Sequence, residues 1–411
     1  MKSANEYQKI CVMGLGYIGL PTASLLATKG FEVVGVDVSQ KVVDTINQGE
    51  IHIVEPDLDI LVKSAVHSGN LSASLEPCEA DVFIIAVPTP FKDGGPGHIS
   101  GKKPDLSYIE SATKKISPYI KPGDLVILES TSPVGTTDEV VAEILKQADH
   151  AVGDNVYVSH CPERVLPGRI LIELVENDRV VGGINDESTK VTVRFYERFV
   201  RGAVLATTAK TAEMVKLTEN SSRDVQIAFA NELSMICETE NIDTWEVIEL
   251  ANRHPRVNIL NPGPGVGGHC IAVDPWFIVD RSPDCSSLIR TAREVNDKKP
   301  EWVIERVKRC ADKFKSPIIA CLGLAFKADV DDLRESPAFD IVKRLSEQEI
   351  GTLMVCEPNL SSLEGFRLYD VNDSIEKADI ILLLVDHKPF QSLNATELSE
   401  KIIIDTRGVI R

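Results

Sequence analysis

Lys9-Ile10-Cys11-Val12-Met13-Gly14-Leu15-Gly16-Tyr17-Ile18-Gly19 is the stretch on which the fold turns. Its first five residues read as a short apolar strand. A helix follows from about Leu20 to Thr28, then a second strand, Glu32 to Val36, that ends at Asp37. Pro21 suits the first helical turn, where no backbone donor is needed. Each glycine has a physical reason. Gly14 permits the tight turn, Gly16 admits a pyrophosphate against the backbone, and Gly19 lets the helix pack closely on the strand. The phosphates then sit at the helix N-terminus. Asp37 falls about 20 residues on, where a carboxylate accepts from a ribose 2′-OH and repels a 2′-phosphate. The spacing predicts an NAD-binding Rossmann unit.

The pattern continues with apolar strands at Asp81–Val87, Leu125–Glu129 and Asn155–Ser159. Ligands of an open parallel sheet bind outside the carboxyl ends of its strands. Thr89 and Thr131, in the turns after the first two, are placed either to meet the cofactor or to cap a helix. After the third comes His160-Cys161-Pro162-Glu163-Arg164-Val165-Leu166-Pro167-Gly168. There Glu163 and Arg164 form a surface ion pair or face a ligand. The insert between Phe91 and Pro104 reads as a surface loop, with His98 solvated.

Residues from Thr208 to Glu240 contain neither glycine nor proline and read as one long helix. Val225, Phe229, Leu233 and Ile236 make an apolar stripe. Lys216, Asn220 and Arg223 share another face, either solvated or functional. A second helix, about Thr244 to Asn252, leads to Arg253-His254-Pro255-Arg256. Next comes Pro262-Gly263-Pro264-Gly265-Val266-Gly267-Gly268-His269-Cys270. Four glycines and two prolines in nine residues constrain a loop that ends in a thiol. That suits thiol chemistry on a bound substrate, or a tight loop before a strand with a buried cysteine. Asp274 follows closely, as a base for water or as a turn residue.

The last part opens with a strand at Pro317–Leu322, then Gly323-Leu324-Ala325-Phe326-Lys327. It continues to a strand running from Ala378 to Val385 and a Pro-Phe turn. This echoes Ala80-Asp81 through Phe91 and predicts a second α/β unit. Without GxGxxG, a second dinucleotide is not expected there. Lys327 and Arg334 supply positive charge for phosphate, or belong to a plain surface loop. The expected fold class is α/β, with two doubly wound Rossmann-like domains joined by a long central helix. The expected divisions are residues 1–206, 207–300 and 301–411.

The 411 residues carry a net charge of −18, which argues against nucleic acid or an anionic membrane as partner. No run reaches the ~18 apolar residues of a membrane span. The N-terminus lacks the features of a secretory signal, so a cytoplasmic protein is expected. Nine cysteines without a CxxC pair read as free thiols, with no metal site expected.

Four runs are long enough to carry a resemblance: Glu50–Leu58, Cys161–Gly168, Asn252–Leu260 and Gly267–Phe277. With the glycine turn, they closely resemble the UDP-glucose/GDP-mannose dehydrogenase family over nearly the whole chain. The resemblance implies a four-electron oxidation of a UDP-sugar C6 alcohol to the carboxylate, using two NAD. Cys270 then adds to the C6 aldehyde, giving a thiohemiacetal and later a thioester that water releases. Lys216 matches the family's catalytic lysine, Asn220 its partner in orienting water or oxyanion, and Asp274 the carboxylate tied to water activation. Glu163 is a further acid–base candidate.

The UDP-sugar is expected to meet Arg164, Val165, Lys216, Asn220, Arg223, His254, Arg256, Gly267, Phe326 and Lys327. His254 and Arg256 would reach a neighbouring subunit's site in a homodimer or larger homo-oligomer. Gly14, Gly16, Tyr17, Ile18, Gly19, Asp37, Thr89, Thr131 and Arg334 fall on cofactor positions. Ala272 departs from the proline of many members that oxidise UDP-glucose. It agrees with the branch acting on UDP-N-acetyl-D-mannosamine, whose uronate would feed surface polysaccharide synthesis. UDP-N-acetylglucosamine and UDP-glucose are alternative substrates. A two-electron β-hydroxyacid dehydrogenase and a non-enzymatic NAD or nucleotide-sugar sensor are the other readings. Neither needs the Cys270 loop.

Overall fold

The structure is a computed structural model that describes residues 7–92, 102–166, 168–268 and 270–410. His98 and most of its insert lie outside the described residues. The stem of the insert is described, with Lys92 N–H donating to Lys103 O (2.8 Å) and Asp105 N–H to Pro90 O (2.7 Å).

Two compact units divide the chain, one reaching to Thr218 and one running from Glu219 onward. The first holds eight strands: β1 (Lys9–Met13), β2 (Glu32–Val36), β3 (Leu71–Ser74), β4 (Val82–Ile85), β5 (Leu125–Leu128), β6 (Tyr157–His160), β7 (Arg179–Gly183) and β8 (Val204–Thr208). Their order is β3-β2-β1-β4-β5-β6-β7-β8, all parallel except the β6–β7 pair. Helices α1 (Gly19–Thr28), α2 (Gln40–Asn47), α3 (Leu58–His67), α4 (Ser107–Ile116), α5 (Ala142–Gln147), α6 (Ile170–Glu176) and α7 (Asp186–Tyr196) connect them. Alternation along each strand explains the continuous apolar runs. Ile10, Val12, Ile84 and Ile127 enter the core on one face, while Cys11, Met13, Phe83 and Val126 enter the core on the other.

Helix α8 (Ala209–Glu240) crosses the division between the units. The second unit continues with α9 (Thr244–Ala251), α10 (Asp274–Arg281) and α11 (Ser287–Ala311). It also has a parallel sheet of order β10-β9-β11-β12, from β9 (Ile318–Leu322), β10 (Thr352–Cys356), β11 (Ile380–Leu383) and β12 (Ile402–Asp405). Helices α12 (Pro337–Glu347) and α13 (Val371–Lys377) complete it. From Glu219 on, the expected 207–300 segment belongs to the same compact unit as the final sheet.

The echo between the two sheets is geometric. Gly14 N–H donates to Val36 O (2.7 Å), and Gly323 N–H to Cys356 O (2.9 Å). Lys9 N–H donates to an Asp81 carboxylate oxygen (3.0 Å), and Ile318 N–H to one of Asp379 (2.9 Å). Each aspartate precedes the strand that follows the first crossover and pins the start of the central strand.

Within the second unit the long helix meets α11 through polar groups, beside the buried Ala228, Ala230 and Cys237. Asp224 accepts from Arg293 Nη1 (2.5 Å) and Asn231 Nδ2 donates to Asn296 (2.9 Å). Lys299 Nζ donates to Ser234 (2.6 Å), and Trp302 Nε1 to Glu238 (3.2 Å). All four partners lie on α11. The apolar stripe faces outward instead, with Phe229 58% and Ile236 53% exposed. Periodicity identifies a face but not its neighbour, and complementary hydrogen-bonding groups on α11 claimed the polar one.

Arg293 and Asp224 are both fully buried. Removing the guanidinium leaves a buried carboxylate uncompensated, so Arg293→Met is expected to lower stability by about 3–5 kcal/mol in urea denaturation. Arg293→Met with Asp224→Leu should recover most of that loss.

Candidate active site

The glycine turn is tight where the sequence requires it. Gly14 adopts φ +92°, and a Cβ there would lie 2.9 Å from Ala86 O. A Cβ on Gly19 would fall 1.8 Å from Gly14 O. At Gly16 a Cβ would meet nothing within 4 Å, so the backbone opens outward at the start of α1. A pyrophosphate needs that opening. Asp37 is held by Leu15 N–H (3.1 Å) and Ser39 N–H (2.9 Å), one donor on each oxygen, which leaves lone pairs for a ribose. Tyr17 and Ile18 complete the turn. Past β4, the buried Thr89 Oγ1 has no partner among the described residues, and Thr131 lies half-buried past β5. Open backbone, fixed acid and orphan hydroxyl fit NAD.

Deeper in this unit lies a buried charged cluster that spacing alone did not reveal. Glu163 Oε2 accepts from Arg179 Nη1 (2.6 Å), and its Oε1 from Arg164 N–H (2.7 Å). Both ion-pair partners are buried, so the surface-pair reading of Glu163 with Arg164 does not hold. Arg164 is half-buried and donates through Nη1 to Asp178 O (3.3 Å), while Val165 packs against the core. Arg179 also lies 5.5 Å from the centre of the Tyr196 ring, and Tyr196 OH donates to Glu129 (2.7 Å). Burial, reinforced by the Glu163 charge, pushes the Glu129 carboxyl up to about 7. Burial pushes the Cys161 thiol up to about 12, which leaves it no thiolate to compete as nucleophile at neutral pH. Burial also holds His160 down at about 3, so its ring stays neutral.

In the second unit, Gly263 N–H is fixed by Asn231 Oδ1 (2.9 Å). A Cβ on Gly267 would lie 2.3 Å from Glu335 O and 3.2 Å from Phe326 Cβ. The glycine loop thus leans on the loop that carries Phe326 and Lys327. This close approach is to protein, where the sequence had pointed to a ligand. Lys327 is exposed and makes no ion pair among the described residues. Arg334 is held by a fork onto Asp332 (2.9 and 2.7 Å).

Cys270 is exposed, so the buried-thiol reading fails. A helix follows it, not a strand. Its carbonyl accepts from Val273 N–H (3.0 Å) and Asp274 N–H (2.8 Å) and launches α10. The buried Asp274 carboxylate accepts from Asn220 Nδ2 (2.5 Å), which ties α8 to the first turn of α10. Two of the expected residues thus meet directly. Lys216 and Arg223 lie on the same helix as Asn220, and neither makes an ion pair among the described residues. His254 and Arg256 are exposed past α9, with Arg256 N–H donating to His254 Nδ1 (3.3 Å).

Three family models match the chain in succession. The NAD-binding domain of the UDP-glucose/GDP-mannose dehydrogenase family covers residues 8–200, its central domain 210–298 and its UDP-binding domain 320–411. The chain belongs to this family. Its members are NAD-dependent nucleotide-sugar dehydrogenases, and NAD is the cofactor. An NDP-N-acetyl-D-galactosaminuronic acid dehydrogenase of Ralstonia solanacearum is 56% identical, over 98% of this chain and 96% of the relative. A UDP-N-acetyl-D-mannosamine dehydrogenase of Campylobacter jejuni is 52% identical, over 94% and 97%. Among solved structures, the UDP-N-acetyl-mannosamine dehydrogenase Cap5O from S. aureus superposes with a TM-score of 0.89 at 42% identity, over 98% and 96%.

Glu129 gives the first unit a pH signature. Its pKa is raised on folding, so the folded chain binds the extra proton and loses stability as pH rises from about 4.5 to about 7. Neutral His160 has the opposite effect below pH 6.5, so the wild-type profile is a composite. The difference between Glu129→Gln and wild type isolates the carboxyl. Urea denaturation should show that difference growing in the variant's favour across this window, by roughly 3 kcal/mol at most.

Proposed function

We propose that the protein is a UDP-N-acetyl-D-mannosamine 6-dehydrogenase, forming the uronate by a four-electron oxidation. The observation that carries this reading is the exposed Cys270 at the start of α10, four residues before an Asp274 already fixed by Asn220. Relatives named for N-acetylated amino sugars support the acetamido substrate. Ala272 supports the manno branch. The galactosaminuronic name of the Ralstonia relative makes the galacto epimer the second reading.

Bound NAD supplies the hydride acceptor in both oxidations. The chain's own residues govern the rest. As the hydride leaves, water takes the C6 hydroxyl proton, and Lys216, as an ammonium, offsets the charge developing on the C6 oxygen. The Cys270 thiolate adds to the aldehyde carbon, which keeps the aldehyde from escaping and restores an oxidisable C–H bond. After the second oxidation the acyl group remains on Sγ as a thioester. Asp274, oriented by Asn220, takes a proton from the water that releases the acid. Glu163 would enter acid–base chemistry only from its buried pair with Arg179. UDP is assigned to Phe326 and Lys327, with Gly267 beneath them, and the sugar to Arg164, Val165 and Arg223. Arg334 is assigned to the cofactor.

The exposed stripe on α8 supports a homodimer, in which His254 and Arg256 reach the neighbouring site. Ile236→Asp is expected to shift the sedimenting species to monomer and to reduce turnover. A wild-type chain that sediments as a monomer would remove this part of the reading.

Turnover of UDP-N-acetyl-D-mannosamine should release two NADH per uronate, measured at 340 nm against product by chromatography. One NADH per product would overturn the thiol route, and faster turnover of the galacto or gluco epimer would overturn the choice of sugar. Cys270→Ala should abolish uronate formation and leave NAD affinity near wild type.

A further inference from the structure

The second sheet repeats the strand ends of the first, including an acid after its second strand. Asp37 follows β2 and accepts from Leu15 N–H, while Glu357 follows β10 and accepts from Leu324 N–H (2.7 Å) and Ala325 N–H (3.1 Å). The two acids differ in what else they hold. Glu357 Oε2 also meets His387 Nε2 (3.0 Å), and its Oε1 accepts from Asn359 N–H (3.1 Å) and Asn359 Nδ2 (3.2 Å). An acid so fully engaged has no lone pair left for a ribose diol. Burial pushes the carboxyl up, but the bonds from His387, Leu324 and Asn359 outweigh it and hold Glu357 below its ordinary value. The second unit therefore keeps the acid of a dinucleotide fold and uses it for another purpose.

That purpose follows from the histidine. His387 is fully buried, its ring edge-on to Phe390 at 5.6 Å. Its Nδ1 accepts from Asp329 N–H (2.9 Å). A backbone amide can only donate, so Nδ1 carries no proton and Nε2–H donates to Glu357. The tautomer is fixed from both sides. Asp329 adopts φ +60°, a left-handed conformation for a residue with a Cβ, and its Oδ1 accepts from Lys388 N–H (3.0 Å). Farther along, Ser336 Oγ donates to Leu324 O (2.6 Å). The segment from Gly323 to Ser336 is thus tied down at Leu324, Ala325, Asp329 and Ser336. Phe326 and Lys327 sit between the second and third of these ties.

We infer that His387, buried beneath the loop, is a positioning residue for the UDP moiety, holding Phe326 and Lys327 in place through Asp329 and Glu357. The inference rests on the reading that this loop receives the UDP part of the substrate. His387 touches no substrate itself. Its loss acts on nucleotide affinity and leaves the NAD turn of the first unit alone.

His387→Phe keeps an aromatic ring and removes all three hydrogen bonds of the imidazole, those with Asp329 N–H, Asn359 Nδ2 and Glu357. His387→Gln restores a donor to Glu357. The dissociation constant of UDP is measured by calorimetry on the full-length protein, and steady-state kinetics with UDP-N-acetyl-D-mannosamine and NAD accompany it. His387→Phe should weaken UDP binding and raise the KM for the nucleotide sugar by about tenfold, the effect of losing one or two net hydrogen bonds. The KM for NAD should stay within about twofold, and His387→Gln should recover part of the loss. Equal rises in both KM values would mark a structural role and overturn the inference, as would unchanged UDP affinity. If His387→Phe does not fold, His387→Gln decides. It keeps a donor to Glu357 but loses the ring nitrogen that accepts from Asp329 N–H, and it should weaken UDP binding about two- to fivefold with NAD unaffected. Unchanged UDP affinity in His387→Gln would then overturn the inference. Wild-type protein that does not bind UDP would instead refute the underlying assignment of the loop.

Discussion

Parallel strands buried on both faces leave their polar chemistry one outlet, the loops beyond their ends. Strands β1, β4, β5, β9 and β11 carry apolar side chains into the core on each face, and an ionisable group within a sheet, such as His160 of β6, is heavily desolvated. The consequence is visible at each carboxyl end. Gly14 and Asp37 stand past β1 and β2, Thr89 past β4, Glu129 past β5, Glu163 past β6, and Phe326 and Glu357 past β9 and β10. These candidate functional residues gather in turns at the strand ends.

Short local motifs were the most legible part of the sequence. Lys9–Met13 and Glu32–Val36 form strands at the residues expected, because a glycine turn and an acid bracket them. The echo between Asp81 and Asp379 was faint as a pattern and clear as geometry, because both aspartates bind the same backbone position. Strands β3, β7, β8, β10 and β12 escaped notice. Short apolar runs flanked by charges look alike in helices, strands and loops until a neighbouring strand pairs with them.

The candidate site was legible where one residue type carries the chemistry. Cys270 stood out by the loop around it, whereas Asn220 and Asp274 took their expected roles from the family resemblance, and these two bond directly. What could not be read was pairing between distant residues. Nothing near Glu163 points to Arg179, and nothing near Glu357 points to His387, yet each pair sets what its acid can do. The stripe on α8 was legible as a period, whereas the ladder of buried polar groups that joins the opposite face to α11 was not.

The contact between Gly267 and the Glu335–Phe326 segment has a practical side. The floor beneath the proposed nucleophile's loop is also the wall of the proposed nucleotide grip, so damage to one reaches the other. A lesion in the grip would misalign a chemically intact sulfur. Such a protein would titrate as fully reduced with a thiol reagent and still fail as a catalyst. Counting reactive thiols is therefore a poor measure of how many molecules in a preparation are competent.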